Sequence, residues 1–320
     1  MKIVVHIARL LVGVVFIFSG FVKLVDPLGS AYKFQEYFGA DVLNLEFLIP
    51  YALPFSIALI LAELMLGVLL LLGYLPKFTV WSLLGLTLIF LFLTWYSAYY
   101  DKVTDCGCFG DAVKLTPWET FYKNVVLILL VVLLVVKVSL IAPIFKIGLV
   151  KWTSFLSFVL CLYITYHVLL HLPLIDFRPY AVGNSIPDGM EFVGEEMPPI
   201  HDFYLETNDG EDYTEKVLTA ENVLLVVAYD IEKSDAQGFS AIKASTDEAL
   251  KNNFEVFALS SSMVEDFETI KKEYKLNFEV LFCDETTLKT IIRANPGVLH
   301  LKNGVVAGKW NWIDLDELEF

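Results

Sequence analysis

Five long apolar runs occupy the first half of this chain, and they constrain its fold more than anything else in it. They cover residues 3–25, 48–72, 78–99, 121–140 and 150–172. Each is about the length a helix needs to cross ~30 Å of hydrocarbon. In lipid every backbone N–H and C=O must be satisfied within the segment, so such runs fold as helices. Charge, Pro or Gly bounds each one, as with Asp26-Pro27 after the first, Pro76-Lys77 before the third and Pro173 after the fifth. Arg9 interrupts the first run and no A-x-A pattern follows, so it reads as a span and not as a cleaved signal peptide. With 56% hydrophobic residues and a mean hydropathy of +0.61, the chain is too apolar for a single soluble domain.

Beyond Pro173 the character changes. Up to residue 172 there are 11 Lys and Arg against 9 Asp and Glu; after it there are 12 against 29. The net charge of −15 is therefore the sum of +2 from the first part and −17 from the second. So acidic a domain argues against nucleic acid as a partner and against lying flat on anionic lipid. The short connectors carry an orientation signal. Lys2, Arg9, Lys77, Lys137, Lys146 and Lys151 fall on one side without acidic neighbours. The other side mixes Lys33, Lys102 and Lys114 with Asp26, Glu36, Asp41, Glu46, Asp101, Asp105 and Asp111. The positive-inside rule makes the N-terminus cytoplasmic, and five crossings then put the acidic domain outside.

On that outer side, between the third and fourth runs, lies Cys106-Gly107-Cys108-Phe109-Gly110, with two of the four cysteines. A Cys-x-Cys pair closes a very short loop, so its disulfide is strained and readily reduced, as labile and catalytic disulfides are. An external location is also where disulfides persist. Three readings stay open: thiol–disulfide exchange, two unpaired thiols in a tight Gly turn, or half of a metal site. His167 and His171, one helical turn apart at the outer end of the fifth run, would complete a Cys₂His₂ set with Cys106 and Cys108. As interfacial or hydrogen-bonded histidines they need no metal, and none is expected. Cys161 reads as a small apolar filler.

Arg9 and Glu63 are the charges most clearly inside the bilayer. At 1.5 Å per residue Glu63 lies roughly 15 Å deep and Arg9 roughly 9 Å. An unpaired charge there costs about 2.5–3.5 kcal/mol or more, so depth matching pairs Arg9 with Glu63, as a structural lock or as a proton relay. Lys23 reads as a snorkelling lysine and Ser19-Gly20 as a small-residue helix contact. Trp95, Tyr96, Tyr99 and Tyr100 crowd the outer end of the third run. They read as an interfacial belt or as the seat of a flat apolar carrier such as a quinone.

Arg9-Leu10-Leu11-Val12-Gly13, Phe18-Ser19-Gly20 with Lys23, Glu63-Leu64-Met65-Leu66-Gly67 and the Cys-Gly-Cys-Phe-Gly loop together resemble the DoxX/MauE group of bacterial membrane proteins, on its MauE side. The resemblance covers about residues 1–140. It implies a bacterial inner (cytoplasmic) membrane and a role in maturing a secreted enzyme through disulfide chemistry, methylamine dehydrogenase in the case of MauE-like proteins. The fifth span and the attached domain go beyond that four-span pattern, so general thiol redox is the inherited expectation.

The soluble part reads as α/β. Strands at 222–229, 254–260, 278–282, 298–301 and 305–309 alternate with helices at 236–252, 263–274 and 286–294, and Asn303-Gly304 marks a hairpin. A second short hairpin surrounds Asn208-Asp209-Gly210. With Asn295-Pro296 before the terminal hairpin, the order resembles a thioredoxin-like fold, in which the matching proline is cis. Where a thioredoxin carries Cys-x-x-Cys, this chain has Asp230-Ile231-Glu232-Lys233-Ser234-Asp235. Exchange by the usual dithiol of that fold is therefore excluded. Cys283, beside Asp284, reads as structural.

The expected organisation is a four-span DoxX/MauE-like domain over 1–140, a fifth span over 141–172, a linker with a short hairpin over 173–214, and a thioredoxin-like extracytoplasmic domain over 215–320. The expected activity is thiol–disulfide oxidoreduction through Cys106 and Cys108, between an external thiol or disulfide protein and a membrane carrier of the quinone type. The acidic domain would guide the client. A non-catalytic scaffold for assembly of a secreted enzyme and a metal-handling protein are the competing readings.

Overall fold

The computed structural model describes residues 1–103, 107–113, 115–192, 194 and 197–320, so Cys106, Asp105 and Lys114 lie outside the described residues. The chain divides into two units, Met1–Leu169 and Leu170–Phe320.

In the first unit the apolar runs are helices: α1 (Lys2–Val25), α2 (Pro27–Phe38), α3 (Ala52–Leu72), α4 (Pro76–Tyr100), α5 (Pro117–Val136) and α6 (Ile147–Leu170). Five of these are long and apolar enough to cross a membrane, with the 3₁₀ turn Glu46–Tyr51 extending α3 at its start. The sixth, α2, is the helix the sequence reading lacked. Asp26-Pro27 ends the first span and also starts a new helix, because the Asp26 carboxylate accepts the Gly29 N–H at 3.0 Å and Pro27 takes the first helical position. At the head of α5, Thr116 and Glu119 form a capping box.

The bundle turns its polar side chains inward and presents apolar ones outward. Ser19, Lys23, Ser56, Glu63, Thr87 and Asn124 are buried, while Leu10, Phe18, Phe92 and Leu129 face outward. That is the distribution lipid demands, since an intramembrane polar group needs a partner inside the bundle. Val12, Phe16, Leu70, Leu83, Val131 and Leu134 fill the core between α1, α3, α4 and α5. Glycines let α1 and α3 approach closely: a Cβ on Gly67 would stand 3.0 Å from the Gly13 carbonyl oxygen.

The second unit opens with α7 (Ile186–Met190) and α8 (Thr214–Thr219). Its sheet is built from β1 (Val223–Val227), β2 (Glu255–Ser260), β3 (Glu279–Phe282), β4 (Gly297–Lys302) and β5 (Val305–Asn311). Helices α9 (Ala236–Lys251), α10 (Val264–Tyr274) and α11 (Glu285–Ile291) connect the first four strands. The strand order is β3-β2-β1-β4-β5, with β1, β2 and β3 mutually parallel and β4 antiparallel to both β1 and β5. β1 is apolar throughout because both sheet faces are covered. Val223, Leu225 and Val227 enter one core with Leu281 and Ile291, whereas Leu224 and Val226 enter the other with Phe239 and Phe267. Asn303 and Gly304, at φ +48° and +75°, turn β4 into β5. Near the start of the domain, Glu206 bridges Asp212 across the 208–210 turn. The Asn295–Pro296 peptide is cis, and the sheet order resembles a thioredoxin-like fold.

Candidate functional site

Ser19 and Lys23 stand one turn apart on α1, and Glu63 faces them from α3. Helix side chains lean toward the N-terminus of their own helix, so on antiparallel helices Lys23 and Glu63 lean toward each other. Lys23 Nζ lies 2.9 Å from Glu63 Oε2, 3.1 Å from Oε1 and 2.7 Å from Ser19 Oγ. Its remaining donor reaches the Cys108 carbonyl oxygen at 2.8 Å. Ser19 Oγ is 2.7 Å from that same carbonyl and 3.0 Å from Glu63 Oε2. Its single proton serves one of the two at a time. Glu63 is 0% exposed and Lys23 6%, so each is the counter-charge the other needs in hydrocarbon.

This ion pair holds the cysteine loop from below, and the flanking loop residues are held as well. Gly107 takes φ +66° against the stem of Lys33, where a Cβ would stand 3.0 Å from Cγ. Gly110 takes φ +50° and donates its N–H to the Gly107 carbonyl at 3.1 Å. Both backbones are in the left-handed region that favours glycine. The Phe109 ring sits 5.4 Å from Phe18, and Lys123 Nζ lies 4.2 Å from its centroid. Each member of Gly107-Cys108-Phe109-Gly110 thus has a defined anchor.

Two pockets meet at Cys108. The larger, about 510 Å³ of empty space counting its mouth, has Phe34, Leu59, Phe90 and Leu93 as walls and Lys23 and Lys33 among its polar groups. The smaller, about 320 Å³, is lined by Ser19, Glu63, Lys123 and Asn124 among others.

Two sequence expectations, the Arg9–Glu63 pair and the snorkelling Lys23, are corrected here. Arg9 does not meet Glu63. Its guanidinium leans the other way and donates to the carbonyls of Leu70 and Leu71, each at 2.7 Å, and of Ala142 at 3.0 Å. It satisfies the last carbonyls of α3, which have no helical partner. Lys23 is no snorkelling lysine, since it turns inward to the carboxylate. Trp95 and Tyr99 stack on one another on the outside of α4, 39% and 64% exposed, and Tyr96 donates its hydroxyl to the Val42 carbonyl at 2.9 Å. None of the three lines either pocket beside Cys108. Among the described residues no group of three or more His, Cys, Asp or Glu could hold a metal ion. His167 stacks on Tyr163, and in the second unit His171 Nδ1 lies 2.7 Å from Asp314 Oδ1. Cys161 packs with Leu24, Ile60 and Leu64.

In the second unit the loop that replaces the thioredoxin dithiol is tied down. Asn295 Nδ2 donates to the Asp230 carbonyl at 2.8 Å, and Ser234 Oγ lies 2.9 Å from Asn295 Oδ1. The Asp235 N–H takes up the Asn295 carbonyl at 3.1 Å, and Lys233 pairs with Asp230. Cys283 is fully buried, and burial with Asp202 and Asp284 nearby pushes its thiol up to about 12. It is no thiolate at neutral pH.

The residues missed in sequence are the most informative ones. Lys23 and Ser19 were visible only as a snorkelling and a packing residue, and Lys33 and Phe34 sit on the helix whose Asp-Pro start was read as a stop.

Fold and site together define a multi-pass helical membrane protein with a thioredoxin-like domain attached. Residues 1–137 match the family described as Methylamine utilisation protein MauE. No curated protein matches the chain in sequence. Among solved structures, a thioredoxin-like protein from Bacteroides caccae ATCC 43185 is 13% identical, with 87% of each chain covered and a TM-score of 0.28. At that score the fold assignment stays with the strand order and register.

Proposed function

We propose that this protein exchanges electrons between an external thiol or disulfide protein and a membrane carrier of the quinone class, through Cys106 and Cys108. The observation that carries the reading is the tether at Cys108. A buried Lys23–Glu63 pair and Ser19 spend hydrogen bonds on one loop carbonyl, and a pocket inside the membrane unit opens beside it. Cys106 enters from the sequence alone. The loop charge bias supports a cytoplasmic N-terminus and an outer second unit, which keeps the dithiol in an oxidising compartment. The methylamine role in the family description is narrower than the client class proposed here. The tied-down Asp230–Asp235 loop supports a client-guiding role for the second unit and no exchange of its own.

Thiol trapping in membranes tests the reading. Mild reduction is expected to expose two additional reactive sulfurs, and both are expected to be lost as a pair in Cys106→Ser, because removing one partner dissolves the bond. Two thiols that stay reduced under oxidising conditions would instead support a non-catalytic scaffold.

A further inference from the structure

The pocket walled by Phe34, Leu59, Phe90 and Leu93 has no role in the exchange of thiols as such, and its chemistry selects an occupant. Its walls are apolar and two of them are phenyl rings, which suits a flat ring. Those wall residues are half-buried. Lys23 and Lys33 also line it, both donors and neither an acceptor, with the hydroxyl-bearing Ser30 and Tyr37, so an acceptor oxygen on the occupant finds donors there. Cys108 and Gly107 line the same pocket.

We infer that this pocket, and not the aromatic belt of α4, is where a quinone ring seats, with Lys23 as the donor to its oxygen. The inference rests on the redox reading above and gives it a place. All of the hydrogen-bonding capacity of Lys23 is committed to Glu63, Ser19 and the Cys108 carbonyl. A carrier oxygen that reaches Lys23 takes over the bond now made to Cys108. Ser19 Oγ, 2.7 Å from that carbonyl, keeps it satisfied by turning its proton from Glu63. In the oxidising direction the two thiols lose two electrons and two protons, two S–H bonds break and one S–S bond forms. The quinone takes both electrons and both protons and leaves as quinol. The reducing direction is the same step reversed, with quinol as the donor.

The test is equilibrium binding of ubiquinone-1 to the purified full-length protein, read by absorbance after dialysis, with thermal stability followed in parallel. Leu59→Phe and Leu93→Phe, which fill the pocket, are each expected to weaken binding at least tenfold without lowering thermal stability. Trp95→Leu and Tyr99→Leu are expected to leave it within twofold. Menadione is expected to compete. The reverse pattern, loss of binding in the belt variants alone, overturns the inference. So does displacement by phosphatidylglycerol vesicles with none by menadione, which assigns the pocket to a lipid headgroup. Binding is measured again in Cys106→Ser, where it is expected to persist. Ubiquinone-1 that fails to bind a protein whose dithiol still cycles removes this site and leaves the redox reading. Binding at the pocket beside a dithiol that never cycles keeps the site and removes the reading.

Discussion

Lys23 decides how the membrane unit is wired. One ammonium joins α1 to α3 through Glu63 and joins both to the cysteine loop through the Cys108 carbonyl. Removing one partner of a buried pair strands the other charge, at a cost of about 3–5 kcal/mol, whereas removing both is far milder. Lys23→Met and Glu63→Leu are therefore each expected to destabilise the protein strongly, and the double variant to regain much of the loss. A double-mutant cycle on thermal or denaturant unfolding measures this coupling. The parallel cycle with Arg9→Met and Glu63→Leu is expected to be additive within about 0.5 kcal/mol, because Arg9 bonds to backbone carbonyls and shares no partner with Glu63. Strong Arg9–Glu63 coupling would contradict this wiring. Sequence alone ranked the pairs by depth along each helix. Depth ignores the direction in which a side chain leans, which only the antiparallel packing of α1 and α3 supplies.

At the scale of elements, most boundaries were legible because lipid and a two-sided sheet both impose strong patterns. The apolar runs announce the spans, and the wholly apolar Val223–Val227 announces a central strand. The helix α2 was not legible, since its twelve residues mix Lys33, Gln35 and Glu36 with aromatics and lack a span's length. How elements are joined was also hidden. Asp176 accepts from Arg178 Nε at 2.7 Å and from Lys309 Nζ at 2.9 Å. Arg178 and Lys309 in turn donate to the carbonyls of Thr290 and Ile291, closing the end of α11. Burial, with Arg178 alongside, brings the Lys309 ammonium down to about 7 against the pull of Asp176. Against the push of burial, Arg178 and Lys309 hold the Asp176 carboxyl below its ordinary value. Of the two, Lys309 is the group that titrates near neutrality, because Asp176 keeps Arg178 as a second cation. The folded state releases the Lys309 proton at about 7 and the unfolded chain at ~10.4, so between these values the unfolded state binds more protons. Stability of the second unit is then expected to rise with pH across that window, by at most about 1.4 kcal/mol per pH unit from this group. Urea midpoints of the full-length protein between pH 6.5 and 9.5 check this, and Lys309→Met is expected to flatten the rise. An unchanged slope in Lys309→Met would assign the pH dependence elsewhere.

For the whole molecule, the proposed division of labour rests on charge and thiol placement. A membrane unit of net +2 carries the dithiol, and an acidic unit of net −17 carries a thioredoxin-like sheet with no thiol at its usual exchange position. Legible from sequence were the division into a membrane part and an α/β part and the position of the Cys-Gly-Cys loop between two spans. The pocket was not, because its walls come from α2, α3 and α4, which only tertiary structure brings together. If the dithiol links an external client to a quinone pool, its oxidation state has to follow that pool. The most direct measurement holds intact cells with the quinone pool driven first oxidised and then reduced. The dithiol is read in each state with a membrane-impermeant maleimide. The account predicts few labelled sulfurs with an oxidised pool and labelling of both Cys106 and Cys108 with a reduced one, in each case from outside. Labelling that stays the same in both states, or that is reached only after the cells are broken open, would contradict it.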